Sequence, residues 1–166
     1  QTWSEPQMAT IKVGGVGRKV LVFGGGYDDA QDNAYSRVDN SGRAIYVVDA
    51  ETGALVWTVS NANSDMDIPS MQNSIPANVR VLDVDEDGYL DRIYAVDVIG
   101  RVFRVDFNNN GISTALYGGG LIASLFPTVC NDISCQRRFY NAPDIAVMVG
   151  SPYAPYVQIA VGSGYR

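Results

Sequence analysis

The 166-residue chain contains no histidine, few basic residues and little charge of any kind. The lack of histidine excludes imidazole-based acid–base catalysis and histidine-ligated metal sites within this chain. Lysine and arginine together number 12 against 18 aspartates and glutamates, and the formal net charge is −6. No strongly basic composition is present, which argues against a nucleic-acid partner and against attraction to anionic lipid.

Long apolar runs are also missing. No stretch approaches the roughly 18 consecutive apolar residues that a membrane-spanning helix needs, and no secretory leader is visible at the start. The chain opens at Gln1 and stops at Arg166 just after a strand-like run, so we expect a fragment or a processed piece of a longer protein. Hydrophobic residues make up 46% of the chain, which is sufficient for one folded domain with its own core.

Cysteine is scarce, with only Cys130 and Cys135 present. Two cysteines without histidine cannot complete a tetrahedral zinc site. In an oxidising compartment the pair can close the short loop 131–134 as a disulfide, and in a reducing compartment the two remain free thiols. The disulfide is favoured, because a calcium-type motif and a tyrosine-rich β composition both indicate a location outside the cytoplasm.

The most informative segment that is present is an acidic loop with the spacing D-x-D-x-D-G-x-x-D. In such loops the carboxylates at positions 1, 3 and 5 point towards one centre, glycine at position 6 permits a sharp turn, and the carbonyl at position 7 also points inward. Hard oxygen ligands at this spacing are typical of a calcium site. The predicted ligands of one Ca²⁺ ion are Asp83, Asp85, Asp87, Tyr89 through its carbonyl, and Asp91.

This loop differs from an EF-hand. An EF-hand carries a glutamate at position 12 and a helix on each side. Position 12 here is Tyr94, and the flanks 78–82 and 92–96 have the composition of strands. We therefore predict a calcium site between two strands, over residues 83–91, with Asp91 in the closing role. The alternative is a solvated acidic hairpin that binds nothing.

The rest of the chain predicts an all-β fold, because short apolar runs recur and no capped helical stripe is present. Predicted strands cover residues 19–23, 44–48, 54–59, 79–82, 92–96, 101–107, 145–149 and 156–161. Two hairpins share one pattern, in which an apolar strand ends in aspartate and a glycine-containing turn leads to a strand with an aromatic residue. Their aspartates, Asp49 and Asp97, lie 48 positions apart. A repeat of roughly 40–50 residues is typical of β-propeller blades.

We therefore predict one domain over residues 1–166, an incomplete portion of a larger β-propeller ring with about three to four blades. The segment Asp49–Trp57 resembles the repeat of quinoprotein-like propellers. In that repeat aspartate and threonine cap the turn, glycine takes a positive φ and tryptophan packs between blades.

Other conspicuous segments carry weaker signals. The acidic run 27–33 lacks the alternation of a calcium loop and is predicted to be a polar surface loop. Arg137 and Arg138 are predicted to be solvated. The triple-glycine runs 24–26 and 118–120 lack the context of a phosphate-binding loop, and they indicate close backbone approach in or beside a sheet.

Six segments taken together resemble one family. They are residues 2–6, 22–28, 42–57, 83–97, 138–144 and 161–166. In this order they resemble the C-terminal propeller domain of PilY-type proteins, the type IV pilus tip and biogenesis factors of Gram-negative bacteria. One departure is Asp85, which stands where some members carry asparagine.

The resemblance implies a calcium-binding domain whose metal occupancy is linked to pilus extension and retraction, twitching motility and surface attachment. It implies an extracellular location at the pilus tip or cell surface, or a location in the periplasm or outer membrane. Minor pilins and other pilus-tip proteins are the implied partners. Adhesion to a host or abiotic surface belongs to the family's N-terminal region, which this sequence lacks.

Two other functions share parts of this pattern. A pyrroloquinoline-quinone-dependent dehydrogenase has a similar tryptophan repeat and uses calcium, but it typically carries adjacent cysteines, and Cys130 and Cys135 are not adjacent. An integrin-like adhesive propeller carries several calcium loops with purely structural ions, and this sequence has one such loop. We predict that the chain is not an enzyme.

Overall fold

The computed structural model describes residues 3–33, 38–109, 116–125, 137–150 and 154–164. Regular structure in these ranges is almost entirely β, which confirms the all-β prediction, and one short 3₁₀ helix spans Asp29–Asn33. No helix in the described ranges is long and apolar enough to cross a membrane. The strands are β1 Gln7–Val13, β2 Val16–Gly24, β3 Ala44–Asp49, β4 Leu55–Ser60, β5 Met66–Asp67, β6 Arg80–Leu82, β7 Arg92–Val96, β8 Arg101–Phe107, β9 Leu116–Ser124, β10 Asp144–Met148 and β11 Tyr156–Ala160.

These strands form three sheets. The first has the order β1-β2-β3-β4-β5, with antiparallel pairing up to β4 and a short parallel pairing of β5 with β4. The second is the antiparallel meander β6-β7-β8-β9, and the third is the hairpin β10-β11. Within each sheet consecutive strands are neighbours. All of these pairs except β4–β5 are antiparallel, as expected where a short connection returns the chain alongside itself.

The first and second sheets pack against each other over one hydrophobic core. From Val20 onward in β2 and from Trp57 onward in β4 every second residue is buried, so one face of each of these segments points into this core. Trp57 of β4 and Phe107 of β8 meet there across the two sheets. The buried members of the core are Ile11, Val20, Val22, Ile45, Val47, Trp57, Val59, Ile68, Met71, Ile75, Val79, Leu90, Ile93, Ala95, Phe103, Val105 and Phe107.

All eight strands predicted from the sequence are present, and β1, β5 and β9 were not predicted. Strand β9 contains Gly118–Gly120, and glycine is unfavourable in strands because it has no side chain to pack. The structure supplies the reason for the glycine at position 119. A Cβ atom there would lie 2.9 Å from the sulfur of Met66 and 3.0 Å from the carbonyl oxygen of Arg104. The predicted close approach is therefore confirmed at Gly119, and at Gly24 and Gly25 in the first glycine run, whereas a Cβ at Gly118 or Gly120 would meet nothing within 4 Å.

The two repeated hairpins are confirmed in detail. Asp49 Oδ1 accepts hydrogen bonds from the amide (2.8 Å) and the hydroxyl (3.0 Å) of Thr52, and Gly53 has a φ of +71°. At the second turn Asp97 Oδ1 accepts from the amide of Arg101 at 2.8 Å, and Gly100 has a φ of +87°. The three sheets remain separate within the described ranges, so the arrangement of such hairpins in a propeller ring stays a prediction.

Two predictions of solvent exposure are wrong. Within the predicted surface loop 27–33, Asp28 and Gln31 are buried. Asp28 Oδ2 accepts a hydrogen bond from the amide of Asn40 at 2.8 Å. Arg138 is buried too, and it donates to the carbonyl oxygen of Gln31 at 3.0 Å. These hydrogen bonds come from partners farther along the chain, and they offset part of the cost of burying the polar groups.

Candidate metal centre

The acidic loop connects β6 to β7, the two antiparallel strands that the sequence predicted on its flanks. Its base is closed where Leu82 pairs with Arg92 and the amide of Asp91 donates to the carbonyl oxygen of Leu82 at 3.0 Å. Leu90, next to the base, is buried in the core between the two sheets. The far part of the loop, residues 84–88, is exposed to solvent. The loop is thus anchored at one end and open at the other.

Three of the predicted ligands converge. Asp83, Asp85 and Asp91 each offer a carboxylate oxygen, and these oxygens all lie within 4.8 Å of one another. Calcium binds oxygen at 2.3–2.6 Å, so ligands on opposite sides of one ion are separated by about 5 Å. The three oxygens therefore fit around one such ion. Without a cation, three carboxylates this close repel one another.

Backbone amides of the loop hold these carboxylates in place. Asp83 accepts from the amide of Gly88 at 2.8 Å, and Asp91 Oδ2 accepts from the amide of Val84 at 2.7 Å. The turn depends on Gly88, which has a φ of +88°, a region that residues with a side chain rarely adopt. The predicted role of the glycine at loop position 6 is therefore confirmed.

Asp87 and Tyr89 lie differently from the other predicted ligands. The carboxylate of Asp87 is outside the group of three, and its Oδ1 accepts from the amide of Tyr89 at 2.8 Å, which folds the loop locally. The ring of Tyr89 points to the first sheet, where the Nζ atom of Lys12 lies 4.2 Å from the ring centroid. The assignments of Asp87 and of the Tyr89 carbonyl as ligands stay predictions.

Sequence reasoning missed Asn109, which follows β8 and is buried beside the loop. Its Nδ2 donates to the carbonyl oxygen of Leu90 at 2.8 Å and lies 3.5 Å from Oδ1 of Asp91. Its Oδ1 accepts from the amide of Lys12 at 3.4 Å. The only signal in the sequence is a run of three asparagines after β8, which predicts a turn and nothing about the loop.

A cleft of about 430 Å³ borders the loop on the side of the first sheet. Its walls come from β1, β2, β6 and the loop, and they carry Met8, Ala9, Thr10, Lys19, Val81, Leu82, Asp83, Gly88, Tyr89 and Leu90. The loop is therefore accessible from solvent both at its open end and on this side.

Cys130 and Cys135 lie outside the described residues, so their pairing stays a prediction.

These features define an all-β protein with two packed, mainly antiparallel sheets and a separate hairpin, in which an acidic loop between neighbouring strands is suited to one hard cation. The fold is similar to that of the C-terminal domain of Pseudomonas aeruginosa PilY1 in its crystal structure, with a TM-score of 0.63 and 20% sequence identity. The match covers 99% of this chain and 32% of that chain, so this chain spans about a third of the solved domain.

The structural match confirms, at the level of the fold, the resemblance that the six sequence segments indicated. No protein-family model and no curated protein matches this sequence.

Proposed function

We propose that this chain is a calcium-binding portion of a type IV pilus-associated protein, located outside the cytoplasm at the pilus tip or cell envelope. In this role calcium occupancy regulates pilus extension and retraction, and with them twitching motility and surface attachment. The partners are minor pilins and other pilus-tip proteins. The role is one of binding and regulation, without catalysis.

The observation that carries the proposal is the convergence of Asp83, Asp85 and Asp91 in a strand-connecting loop, within a fold similar to the PilY1 C-terminal domain. The donor set supports calcium over transition metals, because it consists of carboxylates and no nitrogen or sulfur ligand lies among them. Bound calcium supplies positive charge that offsets the repulsion among the carboxylates. Backbone amides of the loop hold the oxygens of these carboxylates in position.

We also propose that the two packed sheets are blades of a propeller. The repeated hairpins at Asp49 and Asp97 and the contact of Trp57 with the neighbouring sheet support this arrangement. A propeller blade has an apolar face on each side. In a ring, each of these faces is buried by packing against the neighbouring blade.

The test is a calorimetric calcium titration of the chelator-stripped protein beside two variants. Asp85→Ala removes one ligand oxygen and one charge from the converging group. Asp65→Ala is the matched control, because Asp65 lies outside the loop and accepts a hydrogen bond from the amide of Thr58 at 2.8 Å. We expect one site in the wild type, at least about tenfold weaker binding in Asp85→Ala, and unchanged binding in Asp65→Ala. A folded wild type that takes up no calcium overturns the proposal.

The regulatory part needs a test in cells. We expect Asp85→Ala, placed in the full-length protein of a piliated bacterium, to change twitching and attachment at an unchanged protein level. If Asp85→Ala and Asp65→Ala give the same twitching, the regulatory role is contradicted and only the proposed calcium binding is left.

A further inference from the structure

Asn109 joins three parts of the molecule through one amide side chain. It follows β8 in the second sheet, and its Nδ2 donates to Leu90 at the end of the acidic loop. The same nitrogen lies 3.5 Å from Oδ1 of Asp91, one of the three converging carboxylates. Its Oδ1 accepts from the amide of Lys12 in β1 of the first sheet. The amide is buried, so few waters can replace these contacts.

Strand β1 is the edge of the first sheet, and its outer side has backbone groups that β2 does not pair. The end of the acidic loop supplies a partner, because the amide of Leu90 donates to the carbonyl oxygen of Thr10 at 2.8 Å. Asn109 supplies the partner for the amide of Lys12, two residues further along the same side. The loop and Asn109 therefore close this edge against the second sheet.

Tyr89 makes a second connection between the loop and the first sheet. Its amide is held by Asp87 within the loop, while its ring lies under the ammonium group of Lys12. A Cβ atom at Gly17 in β2 would lie 3.4 Å from this ring, so the ring packs directly on the backbone of the hairpin. A movement of the loop thus moves a side chain that touches both β1 and β2.

We propose that Asn109 is a positioning residue for the calcium loop, and that calcium occupancy controls how tightly the β1–β2 hairpin is held against the second sheet. This inference rests on the calcium binding proposed above. Asn109 and the amide of Val84 bind different oxygens of Asp91, so together they fix the orientation of its carboxylate. Because linkage is reciprocal, an ion that orders Asp91 and Leu90 also strengthens the contacts at Thr10 and Lys12.

The first experiment compares calcium affinity in Asn109→Leu and Asn73→Leu by calorimetry. Asn73 is a matched control, since it is also buried and its Oδ1 accepts a hydrogen bond from Arg101, away from the loop. We expect Asn109→Leu to weaken calcium binding about tenfold to a hundredfold, as loss of groups that orient metal ligands does. Asn73→Leu should lower stability and leave the affinity unchanged. Equal affinity in wild type and Asn109→Leu overturns the positioning role.

The second experiment measures amide hydrogen exchange at Lys12 and Leu90 with and without calcium. In the wild type we expect calcium to slow exchange at both amides. If Asn109→Leu does not fold, Tyr89→Leu replaces it, because this change removes the ring from Lys12 and keeps the backbone of the loop. In either variant we expect calcium to protect Lys12 less than in the wild type.

The outcomes separate the two proposals. If the wild-type protein binds calcium but amide exchange at Lys12 does not change, the coupling between the ion and the β1–β2 hairpin is refuted, and the proposed function stands. If the wild-type protein binds no calcium, the proposed function is refuted, and this inference with it.

Discussion

The rings of Trp57 on β4 and Phe107 on β8 lie with their centroids 5.0 Å apart and their planes inclined at 40°. The two residues belong to different sheets, and both are buried. Offset aromatic pairs of this kind stabilise more than their buried area alone accounts for. The contact therefore joins the two sheets, and the sequence had predicted that this tryptophan packs between neighbouring sheets.

Removing this contact should destabilise the protein strongly. We expect Trp57→Ala to lower the free energy of unfolding by about 3–5 kcal/mol, because a large buried ring leaves a cavity. Leu55→Ala on the same strand is the control, since Leu55 is 59% exposed and its loss should cost at most about 0.5 kcal/mol. Urea unfolding curves measure both. A similar loss in the two variants contradicts the role of Trp57.

Asp49 and Asp97 cap equivalent turns, and their surroundings shift their pKa values in opposite directions. Hydrogen bonds from Thr52 lower the pKa of Asp49. Burial raises the pKa of Asp97 to about 7, partly offset by Arg101 and reinforced by the negative charge of Asp39. Within the part of the chain that the structure describes, Asp97 Oδ2 has no hydrogen-bond partner, which makes this oxygen the expected site of the proton.

The raised pKa of Asp97 has a definite consequence for stability. Between about pH 4 and about pH 7 the folded protein keeps a proton that the unfolded chain releases, so the contribution of Asp97 to stability falls as pH rises through this window and then levels off. We expect Asp97→Asn to flatten this decline and to be more stable than the wild type at about pH 8. Urea unfolding at several pH values measures the stability of each protein. Asp49→Asn is the control, and it should keep the decline with rising pH. A wild-type decline that persists in Asp97→Asn refutes the assignment.

Two glycines with nearly the same φ should respond differently to alanine. Gly88 has a φ of +88°, and a Cβ there meets nothing within 4 Å, so Gly88→Ala carries backbone strain of about 1–2 kcal/mol. Gly100 has a φ of +87°, but its Cβ would overlap the buried ring of Phe139. In calcium-free unfolding experiments, we expect Gly100→Ala to lower the free energy of unfolding by about 1–3 kcal/mol more than Gly88→Ala does. Equal losses contradict the tight packing at the second turn.

Calcium should raise the melting temperature through the converging carboxylates. An ion that binds only the folded state contributes about 2.7 kcal/mol at a hundredfold excess over its dissociation constant. We expect chelator to lower the melting temperature of the wild type and to leave that of Asp91→Asn unchanged. Magnesium at the same concentration should give a smaller rise, since it requires stricter geometry and retains its water. A full calcium response in Asp91→Asn rules out the converging group as the site.

Local features were predictable because nearby residues determine them. The hairpin turns follow from aspartate and glycine at fixed offsets, and the loop turn follows from Gly88. Strand β9 was missed because its glycines have low strand propensity, although packing against Met66 requires one of them. Strand β1 was missed although Ala9, Ile11 and Val13 alternate with polar residues. The alternation covers only five positions, and the pairing with β2 that stabilises the strand is not visible in the sequence.

The sequence by itself determined the all-β class, the repeated hairpins and a loop in which Asp83, Asp85 and Asp91 converge, since each depends on spacing within a few residues. Only the tertiary structure decided that Asn109 reaches both Lys12 and Asp91, and that Asp97 is buried beside Asp39 while Asp49 is not. Burial and hydrogen bonding between distant segments follow from how sheets pack, and no local pattern records them.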